Sequence, residues 1–348
     1  MKKTFINTFK IIFFLGIGFF FIWLFMHKLT TEEKDEIYNS FFTANYWWII
    51  LSIIVMFLSH LSRTLRWIIL MEPLGYKPKI KNAFLALLIG YFANLALPRL
   101  GEITRCGILS RYEKIPMQKS FGTVVTERAL DLIVLGLAFL LNFFIHFNKL
   151  SIFKETAFYK NVEEKYQNLE NPNYIYYILL AIAILVVVVF YRFRHKISHF
   201  FLYQKIKQIV FGFFEGLKSL IKIKKPFWFI FHTLFIWIMY LMMTWVVFFA
   251  LTETSHLGLD VGLAVLVFGS IGIVLVQGGI GIYPWIVAEI LAVFAIPITT
   301  GYAMGWLLWT GQTIMIIIAG IISLVILPIV NNVKNEETRD YRIQGFGN

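Results

Sequence analysis

The sequence predicts an all-α polytopic membrane protein: about six full spans plus two broken helical hairpins entering from opposite faces, an arrangement that suggests an inverted repeat. Three observations predict it. Apolar residues fill 59% of the 348 positions and charged ones only 15%, against roughly 25% charged in a soluble domain, and the mean hydropathy is +0.73. Six apolar windows are long enough to cross a bilayer, and two more are interrupted by helix breakers. All 32 lysines and arginines fall outside these windows.

In chain order, Lys2, Lys3 and Lys10 precede the window 11 to 27, and no small-residue cleavage site follows, so it reads as an uncleaved first span. The windows 46 to 61, 129 to 147, 173 to 191, 226 to 250 and 305 to 330 supply the other full spans. The window 83 to 98 is short and ends in Asn94 and Pro98. The window 261 to 296 is split by Gly278-Gly279-Ile280-Gly281-Ile282-Tyr283-Pro284 into limbs shorter than a span.

Positive charge sets orientation. If 83 to 98 dips in and returns, the cytoplasmic segments hold 26 basic residues and the external ones 6. If it crosses, the distribution becomes 12 inside and 20 outside. The re-entrant arrangement is therefore expected, with both termini cytoplasmic and the second broken window entering from the external side. Unwound backbone at membrane depth is tolerated only where it lines a cavity or is buried in protein. A plain alternative for the second window is two thin packed helices whose glycines allow close contact.

From 196 to 225, apolar residues such as Phe200, Ile206, Val210, Phe213 and Leu217 recur at helical spacing, with Lys205, Lys207, Lys218 and Lys222 elsewhere. This predicts an amphipathic helix on the cytoplasmic leaflet. Residues 1–335 form one transmembrane domain in this reading, and 336–348 a short polar cytoplasmic tail. The location expected is a cytoplasmic membrane. The net charge of +12 follows the topology rule and does not call for nucleic acid.

Charge concentrates where an apolar chain should avoid it. Arg63 and Arg66 stand one turn apart at the end of the second span; Arg99, Gly101, Glu102 and Arg105 follow the Pro98 break; Glu127, Arg128 and Asp131 stand at the start of the third span. Ionisable residues at membrane depth are functional-site candidates. Guanidinium groups suit phosphate, through charge-assisted and often bidentate bonds. The plain alternative for Arg63 and Arg66 is anchorage at the interface. Each buried carboxylate needs a partner, and Arg105 and Arg128 are nearest in sequence. A carboxylate here could take a headgroup amine, carry a proton, or simply fix packing.

Other signals are weak. His195 and His199 lack the added ligands of a zinc site, and the glycine run lacks the strand and helix of a nucleotide fingerprint. Cys106 is the single cysteine, which excludes an internal disulfide. No metal, cofactor or catalytic residue is expected. Glu289 is the one acidic residue inside the second broken window.

With these residues laid out, the chain resembles the flippase-like transmembrane domain of the lysylphosphatidylglycerol synthetases and their stand-alone relatives. Carrying the resemblance are Arg63-Thr64-Leu65-Arg66-Trp67 with Leu74-Gly75, Asn94 through Pro98-Arg99-Leu100-Gly101-Glu102 to Arg105, Thr126-Glu127-Arg128 with Asp131, and the glycines Gly278, Gly279 and Gly281. Family members often have a proline before the glycine pair and a glutamate soon after the run. Here Gln277 precedes it, Tyr283-Pro284 follow, and the carboxylate is displaced to Glu289. Fewer than twenty residues follow the last span, so what the resemblance implies is lipid movement without an aminoacyl-transfer domain.

The function expected is translocation of a phospholipid or other phosphate-bearing lipid, such as a polyprenyl phosphate, with membrane lipids as partners. Self-association and a separate lipid-modifying enzyme are left open. Two alternatives stand beside it. One is a membrane-embedded enzyme acting on a lipid phosphate through Glu102, Glu127 or Asp131; the other is a non-transporting partner of an envelope enzyme.

Overall fold

The computed structural model describes residues 16, 18–97, 99–146 and 223–331. The start of the first span, Pro98, the span at 173 to 191, all but the end of the helix expected at 196 to 225, and the tail lie outside the described residues. What is described is helical and joined by short turns, with no strand among the described residues. The protein is an all-α polytopic membrane protein.

Helix α1 covers residues 18–26, and α2 runs Thr31–Thr43 behind a capping box in which Thr30 and Glu33 satisfy each other's backbone N–H groups. Helix α3, Tyr46–Met71, starts at an Asn45 cap and stops before Gly75, which takes a left-handed φ of 87°. Helix α4, Ile80–Ala96, is followed by extended Leu97 and left-handed Arg99. Helix α5, Leu100–Glu113, ends at left-handed Lys114, and α6, Met117–Ile145, begins after Pro116. After residue 222 come α7, Pro226–Val247, and α8, Leu259–Leu275. A single turn at Gln277–Gly279 then leads to α9, Ile282–Val293, and α10, Ile298–Asn331.

Among the described residues four helical stretches are long and apolar enough to cross a membrane: Tyr46–Leu74, Met117–Ile145, Pro226–Ala250 and Ile298–Asn331. The element order repeats. A long helix, a broken hairpin and a long helix (α3, α4 with α5, α6) recur as α7, α8 with α9, α10. At 17 and 14 residues, α4 and α5 reach only about 26 and 21 Å at 1.5 Å per residue, less than a bilayer core.

Close backbone contact holds these pieces together. Helix α4 lies on α5, α3 on α7, and α10 on both α9 and α4. Where α4 meets α5, a Cβ on Gly101 would run into the Gly90 carbonyl, and one on Gly90 would stand 2.9 Å from the Gly101 carbonyl. Along α10, Gly301 and Gly305 face Ala288 and Pro284 of α9, and Gly320 faces Phe92 of α4. Small residues give apolar helices the close packing that substitutes, in lipid, for a hydrophobic driving force.

Two boundaries differ from the sequence reading. Helix α3 continues ten residues past the expected end of its apolar window, so Arg63 and Arg66 are helical and buried. The segment 99 to 128, read from sequence as a cytoplasmic stretch between apolar windows, is α5 and the first turns of α6. Glu127 is therefore about three turns inside a helix and not at its start. In both cases charged residues lowered the local hydropathy while tertiary ion pairs made their helical burial tolerable.

Gly101→Ala is expected to destabilise the protein by about 1–3 kcal/mol through backbone overpacking. Gly136→Ala, at a position where an added Cβ meets nothing within 4 Å, is the control expected to be neutral or slightly stabilising. Thermal unfolding of both variants in detergent checks this.

Candidate functional site

Three helices bring their charges to one place. From α3 come Arg63 and Arg66, one turn apart and 5% and 0% exposed in their side chains; from α6, Glu127 and Asp131, again one turn apart, at 0% and 14%. Arg105 of α5 completes the group. Arg63 Nε lies 3.1 Å from Glu127 Oε1, Arg66 Nη2 lies 3.6 Å from the same oxygen, and Arg105 Nη2 lies 3.0 Å from Oε2. Glu127 thus sits among three guanidinium groups. Asp131 takes a 2.7 Å bond from Arg66 Nη2 and a second from Arg63 Nη2.

The pairing crosses the one read from sequence proximity. Arg105 reaches Glu127, while Arg128 donates to Glu102 at 2.9 Å. Each bond joins α5 to α6, so the hairpin is held to the span by exchanged partners. A helix places residues three or four apart on one face. Glu102 and Arg105 therefore both point toward α6, where Glu127 and Arg128 receive them.

Neutral groups complete the cluster. The Arg105 guanidinium lies 4.6 Å from the Trp67 ring centroid, a cation–π stack, and Trp67 Nε1 donates to Thr123 Oγ1 at 2.9 Å. Arg63 donates to the Tyr91 hydroxyl, and Arg66 to Thr233 Oγ1 at 3.5 Å. Tyr91, Thr233 and Tyr240, whose ring stands 5.9 Å from Arg63, were missed in the sequence. A signal existed: Tyr91 is one turn before Asn94, and Thr233 and Tyr240 are seven apart on a mostly apolar helix.

Beside the cluster lies a crevice walled by Gly90, Tyr91 and Asn94 of α4, Glu102 and Arg105 of α5, and Arg128 of α6. Its inner end is built by the break after α4. Arg99 adopts φ 63° and offers no side-chain cap to α5; Asn94 Oδ1 instead accepts from Gly101 N at 2.7 Å, folding the tip back on α4. Arg99 itself is exposed. Glu102 Oε2 is buried without a hydrogen-bond partner among the described residues, and Arg128, with 44% of its side chain exposed, is the most accessible member of the ion-pair network.

The second hairpin stands apart from this chemistry. Gly278, Gly279 and Gly281 all have positive φ, a conformation that glycine adopts at no steric cost. Trp309 Nε1 donates to the Gly278 carbonyl at 2.6 Å, and α1 presses on Gly281. Glu289 Oε1 accepts from Trp285 Nε1 at 2.9 Å on its own helix. The turn at Gln277–Gly279 touches α4, but none of the second hairpin's residues lines the crevice. No cluster of three metal-capable side chains occurs among the described residues.

Two comparisons place the chain among known proteins. Residues 10–328 match the family described as the lysylphosphatidylglycerol synthase TM region. Over 120 residues the chain is 36% identical to the UPF0104 membrane protein MJ1595 of Methanocaldococcus jannaschii, an alignment covering 34% of this chain and 35% of that one. The chain thus spans about a third of the length of that relative. No solved structure matches.

Breaking a buried pair by removing one partner costs about 3–5 kcal/mol. Glu127→Gln, which leaves Arg63, Arg66 and Arg105 with only Asp131 near them, is expected to lower stability by that order. Arg128→Gln, at the exposed pair, is expected to cost under about 1 kcal/mol. Denaturation midpoints of the two variants in the same detergent check the contrast.

Proposed function

The chain belongs to the lysylphosphatidylglycerol synthase transmembrane-region family, and from that premise we propose that it translocates a phosphate-bearing lipid across a cytoplasmic membrane. The observation that carries this reading is the crevice walled by Arg105 and Arg128 at a broken hairpin. Guanidinium groups at membrane depth are expensive unless a polar partner meets them, and phosphate is the partner that their planar donors fit best.

Orientation and hairpin geometry support the same reading. The excess of 26 basic residues over 6 supports cytoplasmic termini and a re-entrant hairpin of α4 with α5 from that side. The second hairpin then enters from the external side, and the repeated element order becomes an inverted repeat. Two broken hairpins of opposite entry are the frame on which alternating-access carriers build their sites. A headgroup rests between α4, α5 and α6 while the acyl chains stay in lipid. Arg63 and Arg66, fully engaged with Glu127 and Asp131, hold the carboxylates in place, and Arg105 and Arg128 meet the phosphate.

Proteoliposomes with a tail-labelled lipid and an impermeant quencher test the proposal. The full chain is expected to move label between leaflets, and Arg105→Gln to slow it about tenfold or more, the worth of one charge-assisted bond. No movement above empty liposomes across a panel of phosphate headgroups, with folded protein, defeats it.

A further inference from the structure

Between α1 and α3 the chain forms a helix that is neither a span nor a turn. Helix α2, thirteen residues long, reaches only about 20 Å and is too short and too polar to cross a bilayer. Its two halves differ. Glu32, Lys34, Asp35 and Glu36 of the first half are exposed, whereas the second half brings Ile37, Tyr38, Phe41 and Phe42.

The second half has two faces. Ile37 is buried in a cluster with Phe25 of α1 and Tyr302 and Ala303 of α10, and Phe41 packs against the same cluster. Glu36 Oε2 accepts from Thr299 Oγ1 at 3.0 Å, which fastens α2 to the start of α10. Tyr38 and Phe42, one turn apart, are 64% and 72% exposed, with ring centroids 5.0 Å apart. They form an aromatic pair turned away from the bundle.

What this pair meets follows from where the bilayer lies. Helices α3 and α7 run antiparallel, since Ser52 donates to the Met243 carbonyl and Ser62 pairs with His232. At one end of the two helices Tyr46 and Trp47 are exposed; at the other, Phe227 and Trp228 are exposed after Lys224 and Lys225, and Phe229 packs on Ile69 and Leu70. From Trp47 to Ile69, α3 advances about 33 Å. That distance matches a hydrocarbon core of about 30 Å, at whose two boundaries tryptophan and tyrosine gather. Trp47, 76% exposed, therefore marks one membrane surface, and Ile50, Ile54 and Phe57 carry its exposed stripe down α3 into the core. Phe42 precedes Trp47 by little more than one helical turn of sequence and continues that lipid-facing surface.

We propose that α2 is an in-plane helix: its Tyr38–Phe42 face is seated in the lipid leaflet at the Trp47 end of α3, and its charged half stands in the water above. Through Glu36 and Thr299 the seated helix holds the start of α10. In the proposed orientation this leaflet is the external one. The inference is independent of the crevice and of translocation.

Nitroxide labels on the full chain in phosphatidylcholine vesicles test it, attached to Tyr38→Cys, Phe42→Cys and Glu32→Cys one at a time, with the buried Cys106 left in place. Relaxation by oxygen, which concentrates in lipid, is compared with relaxation by a water-soluble nickel chelate. Labels at 38 and 42 are expected to respond more to oxygen, at a depth of about 5–10 Å below the headgroup boundary, and the label at 32 more to nickel. Nickel access at 38 and 42 equal to that at 32 overturns the proposal. Spin–spin broadening at 42 that disappears on dilution with unlabelled chain would assign the face to a second copy and overturn it as well. Positions 38 and 42 report separately, so either decides the matter if the other variant does not fold.

Discussion

A carboxylate surrounded by three guanidinium groups, inside helices otherwise built for lipid, fixes how the rest of this protein is arranged. Glu127 has no exposed side-chain surface, and its charge is compatible with that position because Arg63, Arg66 and Arg105 lie within 3.0 to 3.6 Å of its oxygens. The dependence runs both ways. Arg66 is as fully buried as Glu127, so α3 cannot slide relative to α6 without stranding a charge, at a cost comparable to a large share of ordinary folding stability. Asp131, one turn further along α6, ties the same two arginines a second time and removes the freedom to rotate.

That junction needs the broken hairpin. Arg105 can approach Glu127 only because α5 lies directly on α4, and it does so because neither Gly90 nor Gly101 carries a Cβ at their contact. Arg99, in a left-handed conformation that non-glycine residues rarely adopt, turns the chain, and Asn94 supplies the cap that Arg99 does not. Helix α10 then secures the hairpin from behind, with Gly320 against Phe92 and with Asn331 and Asn82 exchanging side-chain hydrogen bonds of 2.8 and 2.9 Å at the open end. Charge, backbone break and small-residue contact are thus one construction.

Much of this was legible in the sequence because membrane chains expose their exceptions. Charged residues amid apolar windows marked Arg63, Arg66, Glu102, Arg105, Glu127, Arg128 and Asp131, and the structure gathers all seven. Breakers at Asn94 and at Gly278 to Gly281 marked both hairpin tips. Helix limits were not legible, since hydropathy falls wherever a charge occurs and cannot tell an interfacial arginine from a buried, paired one. The crossed pairing was hidden for a related reason. Proximity in sequence favours Glu102 with Arg105 and Glu127 with Arg128, whereas a packed helix pair lets each residue reach across to the facing helix. Tyr91 carries no signal of its own, and Trp67 stands out only as part of the family resemblance, because aromatic residues are ordinary in such a chain, 18% of it, and become informative only once a guanidinium is found against them.

The repeat of element order makes the difference between the two hairpins meaningful. At the second tip, the carbonyl released by the break at Gly278 already accepts a hydrogen bond from Trp309, and Glu289 already accepts one from Trp285. Indole donors satisfy that tip from within the protein, as unwound backbone at membrane depth requires. At the first tip the corresponding groups are ionic, one carboxylate oxygen lacks a donor among the described residues, and one guanidinium is nearly half exposed. Two hairpins of similar shape therefore have unequal needs. The first is held by an ion-pair network of four guanidinium groups and three carboxylates, the second by indole hydrogen bonds.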